Sequence, residues 1–353
     1  MNKAKAAYMT GVNQPLDVRE YPLIRPAPGM ARLELIASGV CGTDLHILRG
    51  KLPVGVPLAL GHEFVGRVSE ISPGDSAASG IAAGDAVIAT IACPCGVCKL
   101  CASGDDANCV NMDLANGGHP DTPPHFHGGF GQVNYSPVQN LVKIPAVLDP
   151  QTVSVFACAG PTVMHAVHLA EQAGCKIHEA ETAVVQGLGP VGLCAVMVLS
   201  AMGIPRVAAV TANVKPERDA LARKLGAADV VTTTGLGGFA GIDVAVEASG
   251  NPAAFSQGLA MLRNRGVYLV PGQYSNSGGV SVEPQIITFK ALRIIGSSQY
   301  SLGDIRRYLA FLEEHPLLHE TIRSLAACYR VEDVNTALED AGTGKNIKTL
   351  LVR

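Results

Sequence analysis

No stretch of the sequence reaches the ~18 consecutive apolar residues that a membrane-spanning helix requires. The longest candidate, VGLCAVMVLSAMGI (191–204), is too short and ends at Pro205-Arg206. The opening residues, MNKAKAAYMTGVNQPLDVREYP, contain no apolar core of a secretory signal. Charge is scarce as well. Asp, Glu, Lys and Arg together make up 16% of the chain, and the formal net charge is −3. That balance gives no electrostatic footprint for nucleic acid. These absences predict a cytoplasmic chain with no membrane or nucleic-acid partner. A hydrophobic share of 48% over 353 residues argues against disorder, and the length predicts two domains.

Against this background the ten cysteines stand out, because five of them crowd into CPCGVCKLCASGDDANC (93–109). In a reducing compartment disulfides rarely persist, so the cluster reads as metal-binding. Cys95, Cys98 and Cys101 are spaced for a tight turn that aims three thiolates at one centre. Cys109 returns after a loop holding Gly104 and Asp105-Asp106, and Cys93 is left over. Four thiolates around Zn2+ close a tetrahedron with no open position, so such a site organises a lobe and does not catalyse. Backbone N–H groups and Lys99 are expected to offset its negative charge. An iron–sulfur cluster and buried free thiols are the alternatives.

A second donor set is spread more widely. Cys41 and His62 are candidate ligands and Cys158 offers a third, two thiolates and one imidazole, although a lone buried cysteine such as Cys158 also reads as inert packing. That set neutralises Zn2+ and leaves a fourth position for water or an alcohol oxygen, as a Lewis-acid site requires. Farther along, GLGPVG (187–192) follows the short apolar strand Ala183–Gln186 and precedes an apolar helical run. This is the context in which a Gly-x-Gly-x-x-Gly turn binds a dinucleotide. Gly187 permits the turn, Gly189 lets the backbone approach a pyrophosphate, and Gly192 lets helix and strand pack closely. Pro190 and Val191 open the helix whose N-terminus meets the phosphate charge. Strand-like runs at 207–211, 229–231, 243–249 and 266–272 alternate with helical segments, which predicts a doubly wound parallel sheet.

Taken together, CGTDLH (41–46), GHE (61–63), the four-cysteine knuckle, CAGPT (158–162) and GLGPVG resemble the zinc-dependent medium-chain dehydrogenase/reductase family of the alcohol dehydrogenase type. The resemblance runs the length of the chain and extends to VEASG (246–250), LRIIGS (292–297) and GKNIKTLLV (344–352). It implies an α/β protein in which a GroES-like, β-rich catalytic domain (1–159) precedes a Rossmann dinucleotide domain (160–294), with 295–353 returning to the catalytic domain. It implies two zinc ions per chain. The catalytic one is held by Cys41, His62 and Cys158, with Glu63 behind it as a transient ligand. Asp44 would orient the His62 ring. Thr43 would hydrogen-bond the substrate hydroxyl, and His46 would pass its proton to solvent by way of the cofactor ribose. The reaction implied is reversible oxidation of an alcohol to a ketone or aldehyde, with hydride transfer at nicotinamide C4. A homodimer or homotetramer is the assembly that family habit suggests.

One departure bears on the cofactor. NAD-selective members end the second strand of the dinucleotide domain with a carboxylate. Here the count from the glycines reaches Thr211, and the count back from Lys-Leu-Gly-Ala reaches Asn213. Neither is acidic, and Lys215 and Arg218 follow, able to hold a 2′-phosphate. The reading favours NADP(H) over NAD(H), with solvated helix-start charges as the alternative. The stretch NGGHPDTPPHFHGGFGQVNY (116–135) is the least family-like. Its His119, His125 and His127 read as a structural loop fixed by prolines rather than a third metal site or a substrate contact. His165 and His168 read as packing residues, and Ala77–Ala83 as a surface loop. Two rival functions remain: a zinc-independent NAD(P)H reductase of activated double bonds, and a non-enzymatic dinucleotide-binding protein.

Overall fold

The computed structural model describes residues 3–213 and 215–353; Met1, Asn2 and Val214 lie outside them. The chain divides into two compact units. One comprises Met1–Cys158 and Ser301–Arg353, the other Ala159–Tyr300.

The first unit is built around the long strand Met30–Val40, whose residues alternate between half-buried and buried before becoming buried throughout. The alternation turns Ala31, Leu33 and Leu35 into an apolar core shared with Phe64, Val68, Val87 and Leu351. Strand order in this sheet is Leu141–Lys143, Ala86–Ala89, Phe64–Glu70, Met30–Val40, Lys348–Val352 and Ala326–Arg330, with Val133–Pro137 also pairing with Met30–Val40. The C-terminal strand therefore lies directly against Met30–Val40, with Leu350 opposite Gly39 and Thr349 opposite Val40. On the other side Ser38 pairs with Phe64. The Met30–Val40 strand thus carries two distant segments, 63–64 and 348–349, to its own carboxyl end.

The second unit is the expected doubly wound sheet. Its six strands run in the order Asp229–Thr232, Arg206–Thr211, Thr182–Gln186, Ile242–Glu247, Leu262–Val270, Arg293–Gly296, all pairing in parallel. Numbered along the chain this is 3-2-1-4-5-6, the order that places a ligand crevice at the strand carboxyl ends beside the first strand. Buried apolar runs such as Ala183–Val185 and Val244–Val246 fit strands covered on both faces.

Two local expectations need correction. Ala77–Ala83 is not all loop, because the helix Pro73–Ser79 covers its first three residues. Ser72 caps that helix by accepting from the Asp75 N–H, Pro73 occupies the first turn, and Gly80 ends it in the left-handed region. The strand expected at 266–272 begins earlier, at Leu262, and ends at Val270, with a register shift against its neighbour.

Gly258, on the helix Pro252–Met261, packs where a Cβ would run into the Tyr268 hydroxyl. Gly258→Ala should lower stability by ~1–3 kcal/mol through overpacking. Gly74→Ala, in an exposed helix with open space around the added methyl, should raise it by ~0.5–1 kcal/mol. Denaturant unfolding of both variants checks the pair.

Candidate active site and metal centres

Cys41 is the N-cap of the short helix Gly42–Leu48, so the end of the Met30–Val40 strand delivers its sulfur directly to the turn. The donor atoms of Cys41, His62, Glu63 and Cys158 all lie within 4.8 Å of one another. Asp44 organises the group. Its carboxylate accepts from the Cys41 N–H (2.9 Å) and the Gly61 N–H (3.1 Å), and one oxygen lies 3.4 Å from His62 Nδ1. A carboxylate at Nδ1 fixes the ring orientation and leaves Nε2 as the metal-directed nitrogen. The Cys158 thiol shares a hydrogen bond with Cys41, which holds Cys41 well below the usual thiol range and Cys158 well above it. Burial alone would depress His62, but Asp44 and Cys41 outweigh it and raise the imidazole. Two soft sulfurs and an oriented imidazole at this spacing suit Zn2+.

Behind them sits Glu63, 1% exposed, in an ion pair with Lys348, 2% exposed. Lys348 also reaches the Val40 carbonyl at 3.4 Å. Burial raises the Glu63 carboxyl to about 7 against the pull of Lys348. Gly39 makes room for the pair, since a Cβ there would collide with the Glu63 carboxylate and crowd the Lys348 ammonium. Lys348 was not singled out from the sequence. The only signal is a lysine at the head of the mostly apolar strand Lys348–Val352.

Thr43 Oγ1 lies 3.8 Å from Cys41 Sγ. His46, one turn later on the same helix, has a buried Nδ1 with no hydrogen-bond partner. Burial, then Lys51 and Arg49, lower its pKa, favouring the neutral ring.

The knuckle also closes. The donor atoms of Cys95, Cys98, Cys101 and Cys109 lie within 4.8 Å of one another, and all ten cysteines are free thiols. Gly96 and Gly104 take positive φ at the turns that bring the sulfurs round. N–H groups of Cys95, Cys101 and Asn111 point at sulfur over 3.2–3.5 Å. The Val97 and Cys98 N–H groups hold Cys95 down at about 6, while desolvation and the sulfurs of Cys98 and Cys109 push Cys101 up to about 12. Sulfurs this crowded cannot all ionise without a shared cation, which is the donor chemistry of a closed zinc site. Lys99, expected to offset the charge, is exposed and pairs with none of them. The leftover Cys93 stands apart and accepts from Asn140 Nδ2 at 2.9 Å.

In the second unit Gly187 adopts φ +99, and its Cα packs against the backbone of Ser249. A Cβ on Gly192 would strike the Gly187 carbonyl. The space beside Gly189 is open, as a backbone that approaches a pyrophosphate requires. Pro190 begins the helix Pro190–Ala201, and Val191 follows it in the first turn. Thr211 ends its strand and donates to the Asn213 carbonyl at 3.0 Å. Lys215 is the exposed N-cap of the next helix. Arg218 reaches back to the Leu188 carbonyl in the glycine turn at 3.4 Å.

The histidine-rich loop holds itself. His125 Nδ1 meets the Pro120 carbonyl at 2.8 Å and its ring stacks on Tyr21 at 4.5 Å. His127 Nε2 lies 3.3 Å from the Thr122 carbonyl, and His119 accepts from the Asp121 N–H. These three form no metal cluster among the described residues. His165 is buried on the helix Ala159–Gln172, and His168 lies 3.0 Å from Gln172 on the same helix.

Comparison with known proteins adds an independent observation. Residues 27–146 match the alcohol dehydrogenase GroES-like domain, and residues 190–314 match the zinc-binding dehydrogenase domain. The chain is 30% identical over 315 residues to 5-exo-hydroxycamphor dehydrogenase of Pseudomonas putida, covering 84% of each chain. It is 30% identical over 319 residues to L-threonine 3-dehydrogenase of Bacillus velezensis, covering 86% of each. The fold superimposes on an alcohol dehydrogenase from Thermotoga maritima with a TM-score of 0.88, at 24% identity and 99% coverage of both chains.

Removing the Lys348 ammonium leaves a buried carboxylate unpaired. Lys348→Met should cost about 3–5 kcal/mol. The double variant Glu63→Gln/Lys348→Met should recover most of that loss in urea unfolding; equal destabilisation of single and double variants would contradict the pairing.

Proposed function

The chain belongs to the zinc-dependent medium-chain dehydrogenase/reductase family of the alcohol dehydrogenase type, and from that premise we propose that this oxidoreductase is a zinc-dependent, NAD(P)-linked alcohol dehydrogenase or carbonyl reductase. The observation that carries the reading is the convergence of Cys41, His62, Glu63 and Cys158 within 4.8 Å. With Glu63 engaged by Lys348, Cys41, His62 and Cys158 are the donors left to hold a metal, a three-donor set that would suit a substrate-binding zinc. This donor set counts against a zinc-independent reductase of activated double bonds.

In this reading Cys41, His62 and Cys158 hold a catalytic zinc, and Cys95, Cys98, Cys101 and Cys109 hold a structural one. A bound catalytic zinc supplies Lewis-acid polarisation of an alcohol or carbonyl oxygen, and a bound nicotinamide supplies hydride exchange. The chain's own residues do the remainder. Asp44 locks His62 in the tautomer that offers Nε2 outward. Thr43, with its hydroxyl beside the Cys41 sulfur, hydrogen-bonds the substrate hydroxyl. His46, one turn along the same helix, passes the released proton on to solvent by way of the cofactor ribose. Glu63, already within 4.8 Å of the other donors, is free to act as a transient ligand only when its hold on Lys348 loosens.

The unit Ala159–Tyr300 serves the dinucleotide and the unit of 1–158 with 301–353 serves catalysis; the boundary expected at 294/295 moves to 300/301 because the strand Arg293–Gly296 completes the parallel sheet. The turn Gly187–Gly192 cradles the pyrophosphate. NADP(H) is favoured because Thr211 brings no carboxylate to its strand end while Arg218 reaches the glycine turn. The substrate class is a bulky or cyclic secondary alcohol, a reading encouraged by the hydroxycamphor dehydrogenase relative. The cytoplasm is the expected location, since thiol ligands suit a reducing compartment; no helix among the described residues is long and apolar enough to cross a membrane. The expected assembly is a homodimer or homotetramer.

Cys41→Ala and His62→Ala should each lower zinc content from two per chain to one and abolish turnover on a panel of cyclic and acyclic secondary alcohols. Elemental analysis beside the activity assay checks this, and undiminished activity in either variant refutes the assignment. Arg218→Ala should weaken NADPH binding by about tenfold, the loss of one charge-assisted contact, and NADH binding far less. Equal effects on the two cofactors would remove the argument for a 2′-phosphate site.

A further inference from the structure

The carboxylate of Glu247 is fully buried at the end of the strand Ile242–Glu247, and the chemistry above gives it no task. No cationic side chain among the described residues pairs with it. Its charge is met by loop donors instead: the Ser249 N–H at 2.8 Å, the Ser249 hydroxyl, and the Gly250 N–H at 3.1 Å. Such an arrangement spends a desolvated charge on the shape of a loop.

Three loops meet at this carboxylate. The first leaves its own strand, where Gly250 takes φ +64 and packs against the Gln273 carbonyl. The second is the glycine turn, since Gly187 lies against the Ser249 backbone that Glu247 holds. The third leaves the strand Leu262–Val270, where a Cβ on Gly272 would collide with the Glu247 carboxylate. These are the exits of strands 1, 4 and 5 of the doubly wound sheet. Strands 4 to 6 form the second mononucleotide half of such a fold, the half opposite the ribose-reading end of strand 2.

We propose that Glu247 is a positioning residue that fixes the loops Ser249–Gly250 and Gly272–Gln273 as the wall of the nicotinamide half of the dinucleotide crevice. The inference rests on the dinucleotide reading given under Proposed function. It goes further in assigning to one buried acid the shape of one half of the site. The adenosine side, at strand 2, lies farther from this carboxylate, and Glu247 reaches the glycine turn only indirectly, through the Ser249 backbone, so the ADP-ribose portion is expected to depend on it less.

The test uses the full-length protein and three probes. The fluorescence of reduced nicotinamide reports NADH and NADPH binding, undisturbed because the chain has no tryptophan. Calorimetry reports ADP-ribose, which lacks the nicotinamide ring. Glu247→Ala should weaken NADH and NADPH by about tenfold or more, and ADP-ribose by less than about twofold. Glu247→Gln retains one oxygen acceptor and should recover part of the loss. If Glu247→Ala does not fold, Gly272→Ala carries the test by pushing the carboxylate aside, with the same selective loss expected. Unchanged NADH and NADPH binding in Glu247→Ala, or in Gly272→Ala if it must stand in, overturns the inference. Equal weakening of ADP-ribose also overturns it, because a generally loosened domain would affect every probe. Failure of the wild-type protein to bind NADH and NADPH would instead refute the dinucleotide reading, and this inference with it.

Discussion

The ion pair between Glu63 and Lys348 is the constraint from which the first unit's chemistry follows. A carboxylate next to two thiols and an imidazole would compete for any metal they hold. Here it is drawn toward an ammonium that arrives on the C-terminal strand. The pair bridges the end of the Met30–Val40 strand, and Gly39 is the residue that lets it do so. Taking two charges out of water is costly, and the pair persists because both partners are held in place from the backbone. Lys348 sits in a paired strand and touches the Val40 carbonyl; Glu63 opens the strand Phe64–Glu70, with its own carbonyl accepting from the Gly39 N–H. Cys41 leaves the same strand end. One strand therefore fixes the position of a donor, of the acid beside it, and of the base that restrains that acid.

The second unit works by a different rule. Its site is mostly backbone, so the side chains that matter are those that allow main chain to come close or that hold it in place. Gly187 and Gly192 allow the turn and the helix to touch. Beneath them lies a polar layer: Gln186 pairs in register with Glu247, and the Tyr268 hydroxyl donates to Gln186 at 2.8 Å. Buried polar groups of this kind are stable only when each is satisfied, and a satisfied network specifies a single arrangement.

Much of this was legible in the sequence because ligand chemistry and backbone sterics restrict the residues that can serve. Cys95, Cys98, Cys101 and Cys109 converge as their spacing indicates, and Cys41, His62 and Cys158 meet although more than a hundred positions separate the first from the last. The parallel sheet followed from alternating apolar runs. What escaped notice depended on partners far away or on local caps. Lys348 means nothing until strand register, with Thr349 opposite Val40, brings it to the end of the Met30–Val40 strand beside Glu63, and no short motif encodes that register. Glu247 looks like one polar residue at a strand end until three loops are seen to fold around it. The helix Pro73–Ser79 was hidden by its Gly, Ser and Pro content, which suggests a loop unless Ser72 is recognised as its cap.

The order in which the chain is made gives the C-terminal strand a further meaning. Every donor of the two thiol clusters has been synthesised by residue 158, yet the ammonium that restrains Glu63 is added only at residue 348. The ion pair can form only once Lys348–Val352 has been made and has paired with the Met30–Val40 strand, so the restraint on Glu63 is added after every neighbour it acts upon.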